Sequence, residues 1–288
     1  MRRAAVFAHF DKDNIVDEYV YYYLKALMSI TQKTVFVTVS NISNNDSDRL
    51  RKLNVDVIKR ANIGYDFYSY KMGIRSLELS EFDELIICND SVFGPFYPLQ
   101  NVIEKMDKEE CDFWGITQSY QFKQHIQSYF ICFRASVIRS ECFSNFWNDL
   151  TIIDDKNQLI QAYEIGLSRR LYESGFESTA LIKYRAGFVE KSICLLKLLV
   201  PKKFGWLRML ALPFRGYYWR AVLQDINITT DLWDRLVERD QMPFLKKSIF
   251  SDKLYKKNAI KKYENVIKSN YDYDTALISA YIKRLDRS

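Results

Sequence analysis

The sequence has few of the residues that build metal sites and disulfides. It contains two histidines, and its five cysteines include no C-x-x-C pair. A structural zinc site needs several closely spaced Cys or His ligands, so we do not expect one. The cysteines are odd in number and lie within apolar segments. This pattern is typical of reduced core residues in a cytosolic protein.

The sequence is also poor in residues that make linkers and membrane spans. Nine glycines and five prolines in 288 residues argue against long flexible linkers. No run reaches the roughly 18 apolar residues of a spanning helix. The opening residues MRRAAVFAHF lead directly into charged DKDN, so the apolar run is too short for a secretory signal. We therefore expect a cytoplasmic protein.

The excess of positive charge is confined to one segment. The chain has a net charge of +6, yet residues 183–220 hold nine basic residues and one acidic residue. The stretch LLKLLVPKKFGWLRMLALPFR interleaves Leu, Trp and Phe with Lys and Arg. This pattern favours an interfacial segment, residues 183–224, on an anionic membrane, and a solvated basic face is the simpler alternative. No nucleic-acid-binding motif accompanies it, so we expect no nucleic-acid partner.

Strands and helices alternate in the first part of the chain, which predicts an α/β fold with a doubly wound sheet. Apolar runs at 4–10, 33–40, 55–60 and 84–88 predict parallel strands with helices between them. Residues 111–119 and 127–134 predict strands of a second half. We expect one α/β domain with a mixed sheet over residues 1–182. The highly charged helical pattern of 225–288 predicts a C-terminal helical region packed on that domain.

Polar residues directly follow three of the predicted strands. In doubly wound sheets, ligands bind outside the carboxyl ends of the strands. Because these ends share one edge, the simplest explanation is one polar ligand that lies across it. The clusters are His9 and Asp11 after the first strand, Arg60, Asn62 and Gly64 after the third, and Asn89, Asp90 and Ser91 after the fourth.

The triplet Asn89-Asp90-Ser91 resembles the D-x-D element of nucleotide-sugar transferases. Carboxylates of that element hold a divalent cation against the donor's pyrophosphate, because the leaving nucleoside diphosphate gains negative charge. Here Asp90 supplies the formal charge, and Asn89 and Ser91 would be weaker ligands. The triplet therefore suits Mg²⁺ or Mn²⁺ at Asp90, and a simple chain turn is the alternative.

The segment RANIG, which contains Arg60, Asn62 and Gly64, resembles the R-N-x-G element of the GT-A transferases. That element precedes the D-x-D strand, and Asn62 lies 27 positions before Asn89. Its glycine lets the backbone approach a ligand, and the helix that follows offers free N–H groups to phosphate or hydroxyl groups. Two such elements in this order favour a nucleotide-sugar site over two unrelated turns.

Six longer blocks resemble the rhamnan synthesis protein F family, bacterial glycosyltransferases of cell-surface polysaccharide assembly. The resemblance implies a GT-A-like fold that transfers a sugar, typically L-rhamnose from a dTDP donor, onto a growing, lipid-linked glycan at the inner face of the membrane. The blocks are VFAHFDKDNIVDEYVYYYLKAL, RANIGYDFYSYKMGI, LIICNDSVFGPFYPL, DFWGITQS with HIQSYFICF, YEIGLSRRLYESGF, and NITTDLWDRLVERDQMPFLKK.

The resemblance also implies roles for single residues. An inverting transfer needs a base for the acceptor hydroxyl, and Glu164 in YEIGLS is the first candidate. An exposed helical Glu164 beside Arg169 is the plain alternative, and Asp112, Asp154 and Asp155 are other candidate bases. The implied donor-binding residues are His9, Asp11, Arg60, Asn62, Gly64, Asp66, Lys71 and Asp90, and the implied acceptor or donor-sugar residues are His125, Gln127, Ser128, Phe244 and Lys246.

Two other functions compete with a glycosyltransferase. A non-catalytic nucleotide-sugar- or glycan-binding subunit of a polysaccharide synthase would also explain a triplet with a single carboxylate. Asp11 and Asp13 match the first D-x-D of haloacid-dehalogenase-type phosphatases, but Ile15 stands where that family has Thr or Val. A non-catalytic subunit would bind a nucleotide sugar without turning it over, which separates it from both enzymes.

Overall fold

The structure, a computed structural model, describes residues 1–187 and 226–286. Within these residues the strands are β1 (Arg3–His9), β2 (Lys33–Thr38), β3 (Asp56–Lys59), β4 (Glu84–Asn89), β5 (Val92–Phe93), β6 (Phe113–Ser119), β7 (His125–Ile126), β8 (Phe130–Arg134), β9 (Ser178–Ile182) and β10 (Leu245–Lys246).

One mixed sheet holds eight of these strands, in the order β3-β2-β1-β4-β8-β6-β7, with β9 beside β6. Strands β3, β2, β1 and β4 are parallel, whereas β8 runs antiparallel to both β4 and β6. The predicted α/β class with a mixed sheet is therefore confirmed. The strand predicted over 127–134 is shorter, because residues 127–129 turn between β7 and β8.

Helices connect most of the strands and also make up most of the described C-terminal part. They are α1 (Glu18–Met28), α2 (Asn44–Lys52), α3 (Tyr65–Arg75), α4 (Leu99–Met106), α5 (Ala135–Ile138), α6 (Glu141–Asp149), α7 (Lys156–Leu159), α8 (Gly166–Glu173), α9 (Ile228–Asp231), α10 (Trp233–Arg239), α11 (Ser248–Ser251), α12 (Lys256–Lys268) and α13 (Ala276–Leu285). A π-helical turn, Ile160–Ile165, joins α7 to α8.

Apolar cores cover both faces of the sheet, which explains why its central strands read as continuous apolar runs. All seven residues of β1 are buried. Ala5 and Phe7 pack into a core with α1, α4 and the C-terminal helices. Val6 and Ala8 face the opposite core, with α3, α6 and α8. Side chains that alternate between the two faces of a strand produce this division.

A two-stranded ribbon joins the C-terminal region to the end of β4. Strand β10 pairs antiparallel with β5, so that Leu245 lies opposite Phe93 and Lys246 opposite Val92. The next residue continues this contact, because the Lys247 N–H donates to the Ser91 carbonyl over 2.8 Å. The ribbon therefore holds two consecutive lysines beside the residues that follow β4.

The basic segment predicted over 183–224 lies almost wholly outside the described residues, and its membrane contact stays a prediction. The domain boundaries proposed from the sequence likewise stay predictions. Among residues 1–187 and 226–286, none of the helices has the length and apolar character needed to cross a bilayer.

Candidate functional site

A cleft of about 850 Å³ opens at the carboxyl ends of the parallel strands β1 to β4. Its walls come from the loops that follow these strands, the start of α3, and the C-terminal elements β10, α11 and α13. The structure thus brings together most of the residues predicted to bind a donor. The predicted residues that line the cleft are His9, Asp11, Arg60, Asn62, Gly64, Asp66, Asp90, Ser91, Lys246 and, among the alternative bases, Asp154.

Asp90 forms a largely buried ion pair with Lys247 in this cleft. The Lys247 Nζ lies 2.7 Å from Asp90 Oδ2, and their side chains are 16% and 8% exposed. The same ammonium group donates to the Tyr19 hydroxyl over 2.8 Å. Tyr19 in turn donates to the Asp90 backbone carbonyl over 3.2 Å. Asp90, Lys247 and Tyr19 therefore form one connected group, although Asp90 follows β4, Lys247 follows β10 and Tyr19 lies in α1.

The pair is charged on both sides. Burial acts to raise the pKa of Asp90, but Lys247 and His9 overcome it and hold that pKa below its ordinary value. Burial acts to lower the pKa of Lys247, and Asp90 outweighs it, so the pKa of the ammonium group is raised. Each group thus stabilises the ionised form of the other.

Both the nitrogen and the oxygen of the Asn89 side-chain amide form hydrogen bonds. Its Nδ2 donates to Asp66 Oδ2 over 2.8 Å. Its Oδ1 accepts from the Ser91 N–H at 3.1 Å and from the Ser91 hydroxyl at 2.5 Å. Asp66 is half-buried, and burial together with the charge of Asp90 raises its pKa to about 6.

These residues do not form the oxygen cage that a divalent cation takes. Asn89 Oδ1 is already bound by Ser91, and its nitrogen, a donor, faces Asp66. Asp90 is neutralised by Lys247, which a cation would have to displace. In the part of the chain that the structure describes, no three His, Cys, Asp or Glu side chains come together as a metal-binding group.

The RANIG loop owes its shape to Arg60. The guanidinium group donates to the carbonyl of Ala61 over 2.8 Å and to the Ser69 hydroxyl on α3 over 2.7 Å. Gly64, the residue before α3, has φ +67°, a left-handed conformation that favours glycine. The loop therefore places the first turn of α3, with its unpaired backbone N–H groups, at the wall of the cleft.

His9 is buried at the end of β1 and is held as a neutral ring. Its Nδ1 lies 2.9 Å from the Thr38 hydroxyl on β2. Burial lowers its pKa below the ordinary value, in spite of the nearby Asp90 carboxylate. The ring can thus offer a neutral donor or acceptor to the cleft, but carries no charge near neutral pH.

Asp11 lines the cleft, but its carboxylate is bound by the protein itself. Arg284 on α13 reaches Asp11 Oδ1 at 3.1 Å, and also contacts Asp13 and Asp17, each at 2.6 Å. Asp11 Oδ1 accepts from the Asp13 N–H as well, over 2.9 Å. This arrangement clamps the last described helix onto the end of β1.

A second group of predicted residues is not part of the cleft lining. Glu164, in the π-helical turn, accepts from both the N–H and the hydroxyl of Ser128, each over 2.8 Å. Gln127 accepts from Thr117 over 2.7 Å, and His125 Nδ1 lies 2.8 Å from a backbone carbonyl. Lys246 joins the two groups, because its Nζ lies 4.0 Å above the ring of Tyr129 and it also lines the cleft.

Two predicted residues lie elsewhere. Lys71 comes five residues after Asp66, about 140° further around α3, and so faces away from the cleft. Its buried ammonium group donates to the carbonyls of Asn148 and Leu150 at the end of α6, over 3.0 and 2.8 Å. Phe244 is 1% exposed and packs in the core against Tyr23. We therefore leave Lys71 and Phe244 out of the candidate site.

Sequence reasoning missed four residues of the site: Tyr19, Lys247, Tyr281 and Arg284. Lys247 directly follows the predicted Lys246 in the block MPFLKK. The two lysines have different contacts because β10 pairs with β5. Tyr281 and Arg284 both line the cleft, three positions apart on α13. That spacing puts them on one helix face, a signal that the sequence does carry.

Solved structures that are similar to this chain include two transferases. One, assigned as a nucleotide-diphospho-sugar transferase from Desulfovibrio desulfuricans, has 11% sequence identity and a TM-score of 0.42, over 94% of this chain and 99% of that one. The other is a mannosyltransferase from Pyrobaculum calidifontis in complex with GDP-Man and Mn²⁺, with 8% identity and a TM-score of 0.42, over 62% of this chain and 55% of that one.

Sequence comparison gives a more specific result. The virulence protein VirA of Vibrio anguillarum is 31% identical over an alignment of 226 residues, and the match covers 74% of this chain and 69% of that protein. An uncharacterised protein of Sinorhizobium fredii is 29% identical over 170 residues, 57% of this chain and 44% of its own length. The family model described as rhamnan synthesis protein F matches residues 34–188. The chain therefore belongs to the rhamnan synthesis protein F family.

Proposed function

We propose that the protein is a glycosyltransferase that takes a sugar from a nucleoside-diphosphate donor bound in the cleft. The observation that carries this proposal is the meeting of Arg60, Lys246 and Lys247 with Asp90 and the start of α3 at one sheet edge. Positive groups and a helix start can receive the diphosphate as negative charge develops on it. Family membership and a GT-A-like arrangement of the sheet support the same function.

The proposed donor and acceptor rest on family membership. We propose dTDP-L-rhamnose as the donor and a growing, lipid-linked bacterial surface polysaccharide as the acceptor. The exposed rings of Phe10 and Tyr65, 47% and 46% exposed at the cleft, are suited to pack against a nucleobase. The basic segment 183–224 would hold the enzyme at the inner face of an anionic membrane, where such acceptors are found.

Glu164 is the proposed base. In an inverting transfer, the bond from the anomeric carbon to the donor phosphate breaks as the acceptor oxygen bonds to that carbon. A carboxylate must then take the acceptor's proton. Both Ser128 donors reach Glu164 Oε1, which fixes the side chain and leaves Oε2 for that proton.

Transfer is tested by release of the nucleoside diphosphate from dTDP-, UDP- and GDP-sugars in the presence of a lipid-linked acceptor. We expect Glu164→Gln to lower kcat about 10²- to 10⁴-fold, while a nucleotide sugar still raises Tm as in the wild type. Glu173→Gln, on the exposed surface of α8, is the matched control.

The alternatives predict different outcomes, the first two in this assay and the third in a separate one. Near wild-type kcat in Glu164→Gln would rule out the base assignment. Binding without turnover by any donor would favour the non-catalytic subunit. Formation of pyrophosphate from a nucleoside triphosphate and a sugar phosphate would instead indicate a nucleotidyltransferase.

A divalent cation is the alternative means of neutralising the diphosphate. Asp90 would hold it, with Asn89 and Ser91 as weaker ligands, after Lys247 had moved away. Addition of Mg²⁺ or Mn²⁺ to protein treated with EDTA tests this arrangement, because it predicts that binding and turnover both depend on the metal.

A further inference from the structure

We propose that Lys247 takes the place of a divalent cation: its ammonium group, held by Asp90 and Tyr19, is the positive charge that meets the donor's diphosphate. The inference rests on the proposed function, since it requires a nucleoside-diphosphate donor in the cleft. It assigns a binding role to a residue outside the predicted site.

The position of Lys247 is fixed from several directions. Its backbone N–H is bound to the Ser91 carbonyl, which continues the β5–β10 ribbon. Its Nζ lies 2.7 Å from Asp90 and 2.8 Å from the Tyr19 hydroxyl. An ammonium group has three N–H donors, so these contacts use two of them. Because Lys247 also lines the cleft, the third can reach a phosphate oxygen there.

At the end of β4, Lys247 already supplies the positive charge that a metal ion would supply. A cation bound to Asp90 would place positive charge next to the carboxylate and toward the cleft, which is where the Lys247 ammonium group lies. Asn89 Oδ1 is bound within the triplet, since Ser91 donates to it twice, and Asp90 Oδ1 accepts from the Phe10 N–H over 3.4 Å. Charge and ligand supply therefore both favour the lysine over a metal.

Neighbouring cations make up for the charge that Asp90 cancels. A Lys–Asp pair is neutral overall, and alone would attract a diphosphate weakly. Lys246 and Arg60 line the same cleft and add positive charge on either side. The Lys246 Nζ lies 4.0 Å above the ring of Tyr129, and this cation–π contact stabilises the ammonium group. Tyr129 directly follows Ser128, which binds Glu164.

During transfer, the ammonium group would act through hydrogen bonding and charge. The bond between the anomeric carbon and the β-phosphate oxygen breaks, and its electron pair leaves with the nucleoside diphosphate. The acceptor oxygen bonds to the carbon, and its proton goes to Glu164. Lys247 remains protonated throughout and stabilises the charge gained by the leaving group.

Nucleotide binding without metal provides the test. We would measure the Kd of dTDP, UDP and GDP by calorimetry, in EDTA and again in Mn²⁺. We expect at least one nucleotide to bind in EDTA with a Kd within about threefold of its value in Mn²⁺. Lys247→Met should weaken that binding about 10- to 100-fold, as expected for loss of a charged hydrogen bond. Lys247→Arg should restore part of it. Lys262→Met, in an ion pair with Asp234 away from the cleft, is the matched control.

The outcomes separate this inference from the proposed function. Binding that needs Mn²⁺ would overturn the role of Lys247 and leave the glycosyltransferase proposal intact. The same holds if folded Lys247→Met binds as tightly as the wild type. No binding by any nucleotide in either condition would instead overturn the proposed function, and this inference with it. If Lys247→Met does not fold, the double variant Asp90→Asn, Lys247→Met removes both charges together, and it should lose binding in EDTA and not regain it in Mn²⁺.

Discussion

At the scale of single residues, the cleft is defined by opposite charges held at short range. Asp66 illustrates this. Arg60, Asp90, Lys246 and Lys247 all act on its charge, and Asn89 binds one of its oxygens. Burial and Asp90 together outweigh the cations, so the pKa of Asp66 rises to about 6. The cleft therefore changes its net charge within the range of ordinary assay buffers.

This shift predicts a pH dependence of donor binding. As the pH falls through about 6, Asp66 takes up a proton, the cleft loses a negative charge, and a nucleotide sugar should bind more tightly. The folded-state pKa lies above that of the unfolded chain, so ionised Asp66 lowers stability fully above about pH 6, and this cost shrinks as the pH falls from about 6 to about 4, the unfolded-state value. A nucleotide sugar is the right probe, because its diphosphate does not itself titrate there.

The measurement is the Kd of a nucleotide sugar from about pH 5 to pH 8, with Asp66→Asn beside the wild type. Asp66→Asn should give a flatter profile, and Asp56→Asn, exposed on β3, should match the wild type. An unchanged slope in Asp66→Asn would assign the titration to another group, and the role given to Asp66 would be wrong.

At the scale of elements, the close contact between α3 and β1 sets the position of the RANIG loop. Gly73 lies where α3 crosses Val6, and a Cβ there would collide with the valine side chain and crowd Val37. A glycine inside a helix lowers the stability of that helix relative to alanine. Here, however, it lets α3 approach the sheet closely. The start of α3 reaches the cleft because of this contact at the other end of the helix.

We expect Gly73→Ala to lower the free energy of unfolding by about 1–3 kcal/mol, the usual cost of overpacking. Gly166→Ala is the matched control, because an added Cβ would have its nearest contact at 3.5 Å from the Gln161 carbonyl. That variant should be neutral or stabilising by up to about 1 kcal/mol, since alanine is the better helix former. Urea unfolding measures both changes. A neutral Gly73→Ala would show that the helix can shift, and that the contact does not fix the loop.

Local patterns predicted the elements better than they predicted the contacts between them. The apolar runs of β1, β3 and β4 and the polar residues at their ends placed His9, Arg60 and Asp90 at one edge, because parallel strands impose it. Lys71 was misplaced because the helical spacing from Asp66, about 140° around α3, was not applied to it. Lys247 was missed because it meets Asp90 through a ribbon whose two strands are about 150 residues apart in the sequence. Sequence spacing does not reveal such a pairing.

At the scale of the whole molecule, the basic segment is the feature that stands out in the distribution of charge along the chain. Residues 183–220 carry nine of its 42 basic residues and one acidic residue. We predict salt-sensitive binding to anionic vesicles, measured by co-sedimentation. Exchange of Lys202, Lys203 and Arg208 for Gln should weaken it, by about 1 kcal/mol for each charge. Neutral vesicles are the control, and a lack of co-sedimentation with anionic vesicles at low salt would contradict the prediction.

The ion pairs of Arg284 affect when the charges of the site become neutralised during synthesis of the chain. A ribosome makes the chain from its amino end, so β1 to β4 emerge long before α13 does. Until residues 247 and 284 have been added, the carboxylates of Asp11, Asp17 and Asp90 have none of the partners that neutralise them. We therefore expect a growing chain to bind a nucleotide poorly, because three carboxylates at this edge are not yet neutralised. Donor binding should require a chain that has been translated past residue 284 and has docked α13.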